Sequence, residues 1–146
     1  MALNTAGCVA SEKLNLLKAD AKDYKDKFPP NNIKDGDLQS FVFTSNGTDG
    51  IWIRVFLDRV SNINHIKVIN RPACCMGRII GMSLYIKNGD KNTKFCGKFN
   101  EKQESYTFYC QGLADTVEIS AQGNVIEQNI AEIVVFGRQI GGNNTL

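Results

Sequence analysis

Downstream of residue 50 the chain alternates apolar and polar side chains with a period of two. Ile51, Ile53, Val55 and Leu57 alternate with Trp52, Arg54 and Phe56; Ile66 and Val68 alternate with His65 and Lys67. Leu84 and Ile86 alternate with Ser83 and Tyr85, Val117 and Ile119 with Thr116, Glu118 and Ser120, and residues 133–136 close the series. That period belongs to strands with one buried face. Turn-forming clusters fall between the runs: Asn46-Gly47, Asn88-Gly89-Asp90, Gln111-Gly112 and Gln122-Gly123-Asn124. Short strands punctuated in this way predict an all-β sandwich or barrel over about residues 30–137.

The segment before Pro30 reads differently. Leu14, Leu17, Ala21, Tyr24 and Phe28 recur at steps of three and four, which predicts an amphipathic helix over 11–28. Ser11 is its N-cap, and Pro29-Pro30 stops it. Lys18, Lys22, Lys25 and Lys27 lie mostly off the apolar face, and Asp20, Asp23 and Asp26 dilute their charge. A helix covering one end of the core is therefore expected, rather than a membrane-surface element.

Length and composition narrow the function. A chain of 146 residues, 42% hydrophobic, suits one domain spanning 1–146. Seventeen Lys+Arg against 15 Asp+Glu leave a net charge of +2, which is no nucleic-acid footprint. No run reaches the ~18 apolar residues of a membrane helix. His65 is the only histidine, so histidine triads and multi-histidine zinc sites lack material. Its polar strand neighbours suggest a surface residue. No glycine-rich phosphate loop appears, and the carboxylates form no acid/base signature, so an enzyme is not expected.

The cysteines are Cys8, Cys74, Cys75, Cys96 and Cys110. Their odd number and lack of CxxC spacing exclude a zinc ribbon or thioredoxin site. A bridge between Cys96 and Cys110, in two strand-like runs, would staple a hairpin. The adjacent Cys74-Cys75 pair reads either as two small buried side chains or as a vicinal disulfide, which fits an oxidising compartment. Met1-Ala2-Leu3-Asn4 leads into polar sequence, as in a cytosolic protein or a mature chain whose leader was replaced. Asn46-Gly47-Thr48 and Asn143-Asn144-Thr145 are glycosylation acceptors compatible with secretion.

One stretch is distinctive: Asn70-Arg71-Pro72-Ala73-Cys74-Cys75-Met76-Gly77-Arg78-Ile79-Ile80-Gly81. It resembles the signature of the F-type lectins (fucolectins), Asn-Arg-x-Asp-Cys-Cys-x-x-Arg followed by glycine. Trp52-Ile53-Arg54-Val55-Phe56-Leu57 is similar to that family's Trp-Trp-Arg-Val-Asp-Leu strand, and Asn32-Ile33-Lys34-Asp35-Gly36-Asp37 to its Asn-Ala-Val-Asp-Gly-Asn loop. Ile130-Ala131-Glu132-Ile133-Val134-Val135 is similar to its closing strand, with a weaker echo at Ala2-Leu3-Asn4. The resemblance implies a discoidin-like jelly-roll sandwich and disulfides Cys74–Cys75 and Cys96–Cys110. It further implies a sugar site in which Arg71 and Arg78 bond hydroxyls while Cys74–Cys75 supports the ring.

The chain also departs from that family. The loop where the family carries its histidine is here Thr44-Ser45-Asn46-Gly47-Thr48-Asp49-Gly50, with no histidine, so either Asn46 or Asp49 substitutes or fucose specificity has drifted or gone. Ala73 stands where the signature has aspartate. One lost hydrogen-bond partner costs roughly 1–3 kcal/mol. The family also implies a structural calcium ion, an oxygen-seeking cation. Asp35 and Glu132 match its side-chain ligands, Asn32, Asp37 and Ala131 its backbone oxygens, and Ser45 its serine. The family's third disulfide lacks both partners here, leaving Cys8 free or pairing between chains into a homo-oligomer. The expectation is a secreted, calcium-containing, non-enzymatic lectin for terminal glycan sugars, L-fucose foremost. The alternative is a structural or protein-interaction module with a decayed sugar site.

Overall fold

The computed structural model of the protein describes residues 11–72, 74–89 and 92–140. Ala2-Leu3-Asn4, Cys8, Ala73 and the Asn143 acceptor lie outside them. Among the described residues the strands are β1 (Glu12–Lys13), β2 (Leu16–Ala21), β3 (Val42–Phe43), β4 (Ile51–Asn70), β5 (Ser83–Asn88), β6 (Asn92–Lys98), β7 (Ser105–Phe108), β8 (Gly112–Ala121) and β9 (Asn129–Gln139). Two 3-10 turns, Pro30–Lys34 and Met76–Ile79, complete the regular structure.

The alternating runs at 51–57 and 65–68 prove to be one strand. β4 slips register between Phe56 and Ser61, and such a bulge bends a strand and sharpens its twist. Its first half pairs antiparallel with β2 and β8; its second half pairs with β9 and β7. β8 continues to β5 and β6, while β9 also carries β1 and β3. The hydrogen-bonded sheet thus folds over on β4 into an all-β sandwich. Ile53, Val55, Leu84, Val117 and Ile119 from one side and Ile66, Val68, Ile130, Ile133 and Val135 from the other are all fully buried. Each such side chain contributes roughly 1.5–3 kcal/mol of transfer free energy.

The expected helix over 11–28 is not formed. Residues 12–13 and 16–21 are strands, and Tyr24 makes an isolated bridge to Thr44. Leu14 and Ala21 are buried, but Leu17 and Tyr24, on the same predicted stripe, are 60% and 41% exposed. A register slip between Leu16 and Lys18 turns Leu17 outward, so a strand with a bulge mimicked helical spacing. The open edge of β4 supplies a full ladder of backbone partners, and tertiary pairing overrides local preference. Among the described residues no helix is long and apolar enough to cross a membrane.

The Cys96–Cys110 disulfide is present, but it staples no hairpin. β6 pairs with β5 while β7 pairs with β4, and Cys110 lies past the end of β7, so the bridge ties β6 to the segment between β7 and β8. Its closed loop is worth about 3 kcal/mol in the chain-entropy account. His65, expected at the surface, is half-buried and stacks on Phe136 with ring centroids 4.4 Å apart.

Glu118 on β8 holds the sheet electrostatically. Burial raises its pKa, but hydrogen bonds from Lys87, Arg54 and Ser120 outweigh that and leave it below the ordinary carboxylate value. Arg54 Nε and Lys87 Nζ lie 2.6 and 2.9 Å from the same oxygen. A depressed pKa gives stability that is present above the ordinary value and lost as pH falls through the folded one. Glu118→Gln should therefore cost on the order of 2 kcal/mol at neutral pH, strand two cations, and cost progressively less as unfolding is followed into acid.

Candidate functional site

The Arg71–Arg78 loop leaves the end of β4 and is tied down by Asn70. This residue is 1% exposed. Its Nδ2 donates to the carbonyls of Met76 (2.9 Å) and Gln103 (3.1 Å), and its Oδ1 accepts from Arg71 N–H (2.9 Å). One amide therefore closes the loop and fixes where the next side chain starts. Asn70→Ala should cost roughly 3 kcal/mol, because the backbone groups it serves lose their partners, and thermal unfolding should show it.

Cys74 and Cys75 are joined in a vicinal disulfide. Cys75 has φ 67° and caps the Met76–Ile79 turn, its carbonyl accepting from Arg78 N–H at 3.1 Å. Cys74 is exposed and Cys75 half-buried, so the bridge forms a rigid part of the surface between the two arginines.

Aromatic rings organise both guanidinium groups. Arg71 lies 4.0 Å over the Phe41 ring and 5.9 Å from that of Phe43; Arg78 lies 5.9 Å from Phe43. Phe28 stacks on Phe41 at 4.8 Å, giving the cluster its floor. Arg78 is also 3.2 Å from Glu127, whose other oxygen takes Lys25 at 3.0 Å. Arg78 Nη1, though this close, makes no aligned hydrogen bond, so the contact is one of charges. Asn129, opposite Phe43 in the β3–β9 register, is 2% exposed with neither amide atom partnered, and Arg71 Nε is likewise buried and unpartnered.

The residues expected to replace the histidine separate. Asn46 Oδ1 accepts from the Glu127 backbone N–H at 2.8 Å, which places it beside the Arg78 ion pair. Asp49 is exposed, its carbonyl 3.4 Å from Lys22 Nζ, and no contact links it to the arginines. Phe41, Phe43, Glu127 and Asn129 were missed in the sequence. The first two flank Val42 in a short alternating run, but nothing in the sequence ties them to Arg71.

A second, oxygen-rich cluster lies behind Phe41. Ser40 Oγ is 2.6 Å from Asp35 Oδ2, 3.1 Å from the Asp37 carbonyl and 3.5 Å from the Asn32 carbonyl. One hydroxyl proton cannot serve all of these acceptors. Glu132, 4% exposed, accepts from Gly36 N–H through one oxygen while its other oxygen is buried without a partner. Burial, with Asp35 and Asp37 nearby, raises its pKa to about 7 despite that hydrogen bond. Ala131 is skipped between Ile130 and Glu132 in the β4–β9 register, so it is the extra residue of a bulge. Ser45 is elsewhere, its N–H bonded to the Asp23 carbonyl; Ser40 stands in the cluster instead. Among the described residues no three acidic, histidine or cysteine side chains converge, so any cation here relies on hydroxyl and carbonyl oxygens as well. Excess acceptors and an orphaned carboxylate oxygen suit a hard cation such as calcium.

Residues 32–119, more than half of the chain, match the family described as NedA-like, galactose-binding domain. No curated protein matches the chain. Among solved structures, a fucose binding module of Streptococcus pneumoniae superposes with TM-score 0.77 at 17% identity, over 88% of this chain and 96% of that one. The lectin domain of lectinolysin, complexed with Lewis B antigen, gives 0.71 at 18%, over 82% and 92%. The family 32 carbohydrate-binding module of C. perfringens NanJ, in complex with galactose, gives the same values. Likeness at this identity establishes the fold.

Proposed function

The chain belongs to the family of the NedA-like, galactose-binding domain, and on that premise we propose that it is a lectin domain holding a terminal glycan sugar against Arg71, Arg78 and the Cys74–Cys75 bridge. The supporting observation is a set of polar groups built without partners: Arg71 Nε and both amide atoms of Asn129 are buried and unbonded. Native proteins leave few such groups, and a ligand is one way to complete them. Arginine offers forked donors that do not titrate, suited to sugar hydroxyls. The disulfide offers a stiff, polarizable surface for the apolar face of the ring. Asn46 and Glu127 form the polar rim. Arg71, Cys74-Cys75 and Arg78, which resemble the F-type lectin signature, favour a site of that kind with L-fucose as the leading neutral sugar. The domain binds its sugar and does not convert it, and it acts outside the cell, where disulfides persist.

Calcium belongs to the same proposal. Asp35, Glu132, Ser40 and the carbonyls of Asn32, Asp37 and Ala131 would hold the ion, which supplies charge that the buried carboxylate lacks. The Asn32 side chain donates to the Phe41 carbonyl at 3.1 Å, so ordering this loop also orders the ring beneath Arg71. A glycan array probed in calcium and in chelator tests the reading. Binding to glycans with terminal fucose or galactose, weakened by chelator, is expected. Silence across a broad array in calcium would contradict it and favour a protein-interaction module on this fold.

A further inference from the structure

We propose that the sugar taken by this site carries an anionic group, a carboxylate or a sulfate ester. The inference rests on the sugar-binding reading and concerns the charge of the same site. Three cations surround one ring: Lys25 Nζ lies 4.1 Å from the centre of Phe43, and the Arg71 and Arg78 guanidinium carbons each lie 5.9 Å from it. A single carboxylate, Glu127, pairs with two of them, Lys25 and Arg78. Arg71 makes no ion pair among the described residues. The sequence between the arginines, Pro72-Ala73-Cys74-Cys75-Met76-Gly77, brings no acidic residue. The cluster therefore carries an excess of two positive charges.

Those charges are poised rather than merely solvated. The Arg71 guanidinium is half-buried and laid on Phe41 at 4.0 Å, with Nε cut off from water and unpartnered. A planar fork held by a ring matches the paired oxygens of a carboxylate or sulfate better than separate hydroxyls, and charge-assisted bonds are roughly twice as strong as neutral ones. The aromatic floor of Phe28, Phe41 and Phe43 lowers the local dielectric, which strengthens the pair. Glu127 works in the opposite sense, since its carboxylate competes with the ligand for Arg78 and Lys25.

Titration calorimetry on the full chain in calcium buffer tests this with matched sugars: methyl galactoside, methyl galacturonide and galactose 6-sulfate, with L-fucose as a second neutral reference. At low salt an anionic sugar should bind about tenfold tighter than its neutral counterpart, and the margin should shrink severalfold at high salt. The galacturonide and sulfate arms separate a planar from a tetrahedral anion. Glu127→Gln should widen the preference and Arg71→Gln should erase it; the Glu127 variant and the salt series stand even if Arg71→Gln fails to fold. Equal affinity for charged and neutral sugars, or a margin indifferent to salt, would overturn the inference while leaving sugar binding intact. No binding by any of these sugars would overturn the sugar-binding reading, and the inference with it.

Discussion

Arg71→Ala is expected to lower glycan affinity at least ~100-fold while moving the melting temperature by no more than about 2 °C. The two effects part because Arg71 contributes little to the fold. Its guanidinium makes no ion pair among the described residues and rests on Phe41 at 4.0 Å, with Phe43 farther off at 5.9 Å. The loop is anchored instead by Asn70 through the Arg71 backbone, which alanine retains. Losing two charge-assisted bonds to a sugar costs about 3 kcal/mol, which sets the fold-change. Arg78→Ala should cost less, roughly tenfold, because Arg78 is already partly neutralised by Glu127. Arg71→Lys should not rescue, since a point charge does not reproduce the fork. Calorimetry for affinity and thermal unfolding for stability check both halves.

The second large effect is a reversal of sign at Glu132. In excess calcium the parent should melt about 5–10 °C higher than in chelator, because a ligand at a hundredfold excess over Kd stabilises by about 2.7 kcal/mol. Glu132→Gln should lose that gain. In chelator at pH 8 the order should reverse, with the variant as stable as the parent or more so. There the parent buries a carboxylate with one oxygen unpartnered and Asp35 and Asp37 nearby, and the amide removes that charge. A parent indifferent to calcium would remove the metal site. A calcium shift that persists in Glu132→Gln would place the ion elsewhere.

Much of this was legible in the sequence because period two is a local signal. Ile51 to Leu57 and Val117 to Ile119 announce their faces in every pair of residues, and both became buried strand faces. The segment before Pro30 misled because a bulge at Leu17 gives a strand the spacing of a helix, and its pairing partner lies far along the chain in β4. The Arg71–Arg78 motif pointed to one half of the candidate site through its resemblance to the F-type lectin signature. The other half comes from β3 and β9, where Phe43 and Asn129 meet only through strand register. Ser40 was overlooked for Ser45 for a different, local reason: the loop turns back within five residues, so the nearer serine reaches Asp35. Contacts made by topology leave no mark on neighbouring residues, and apart from Ser40 those were the ones the sequence did not yield.

The most direct measurement is a two-dimensional amide NMR titration of the calcium-loaded protein with the tightest-binding sugar from the array. The account predicts saturable shifts concentrated at Phe41, Phe43, Arg71, Cys74, Cys75, Arg78, Glu127 and Asn129, with the far edge strand β6 unchanged. Shifts centred on any other face of the sandwich would contradict it.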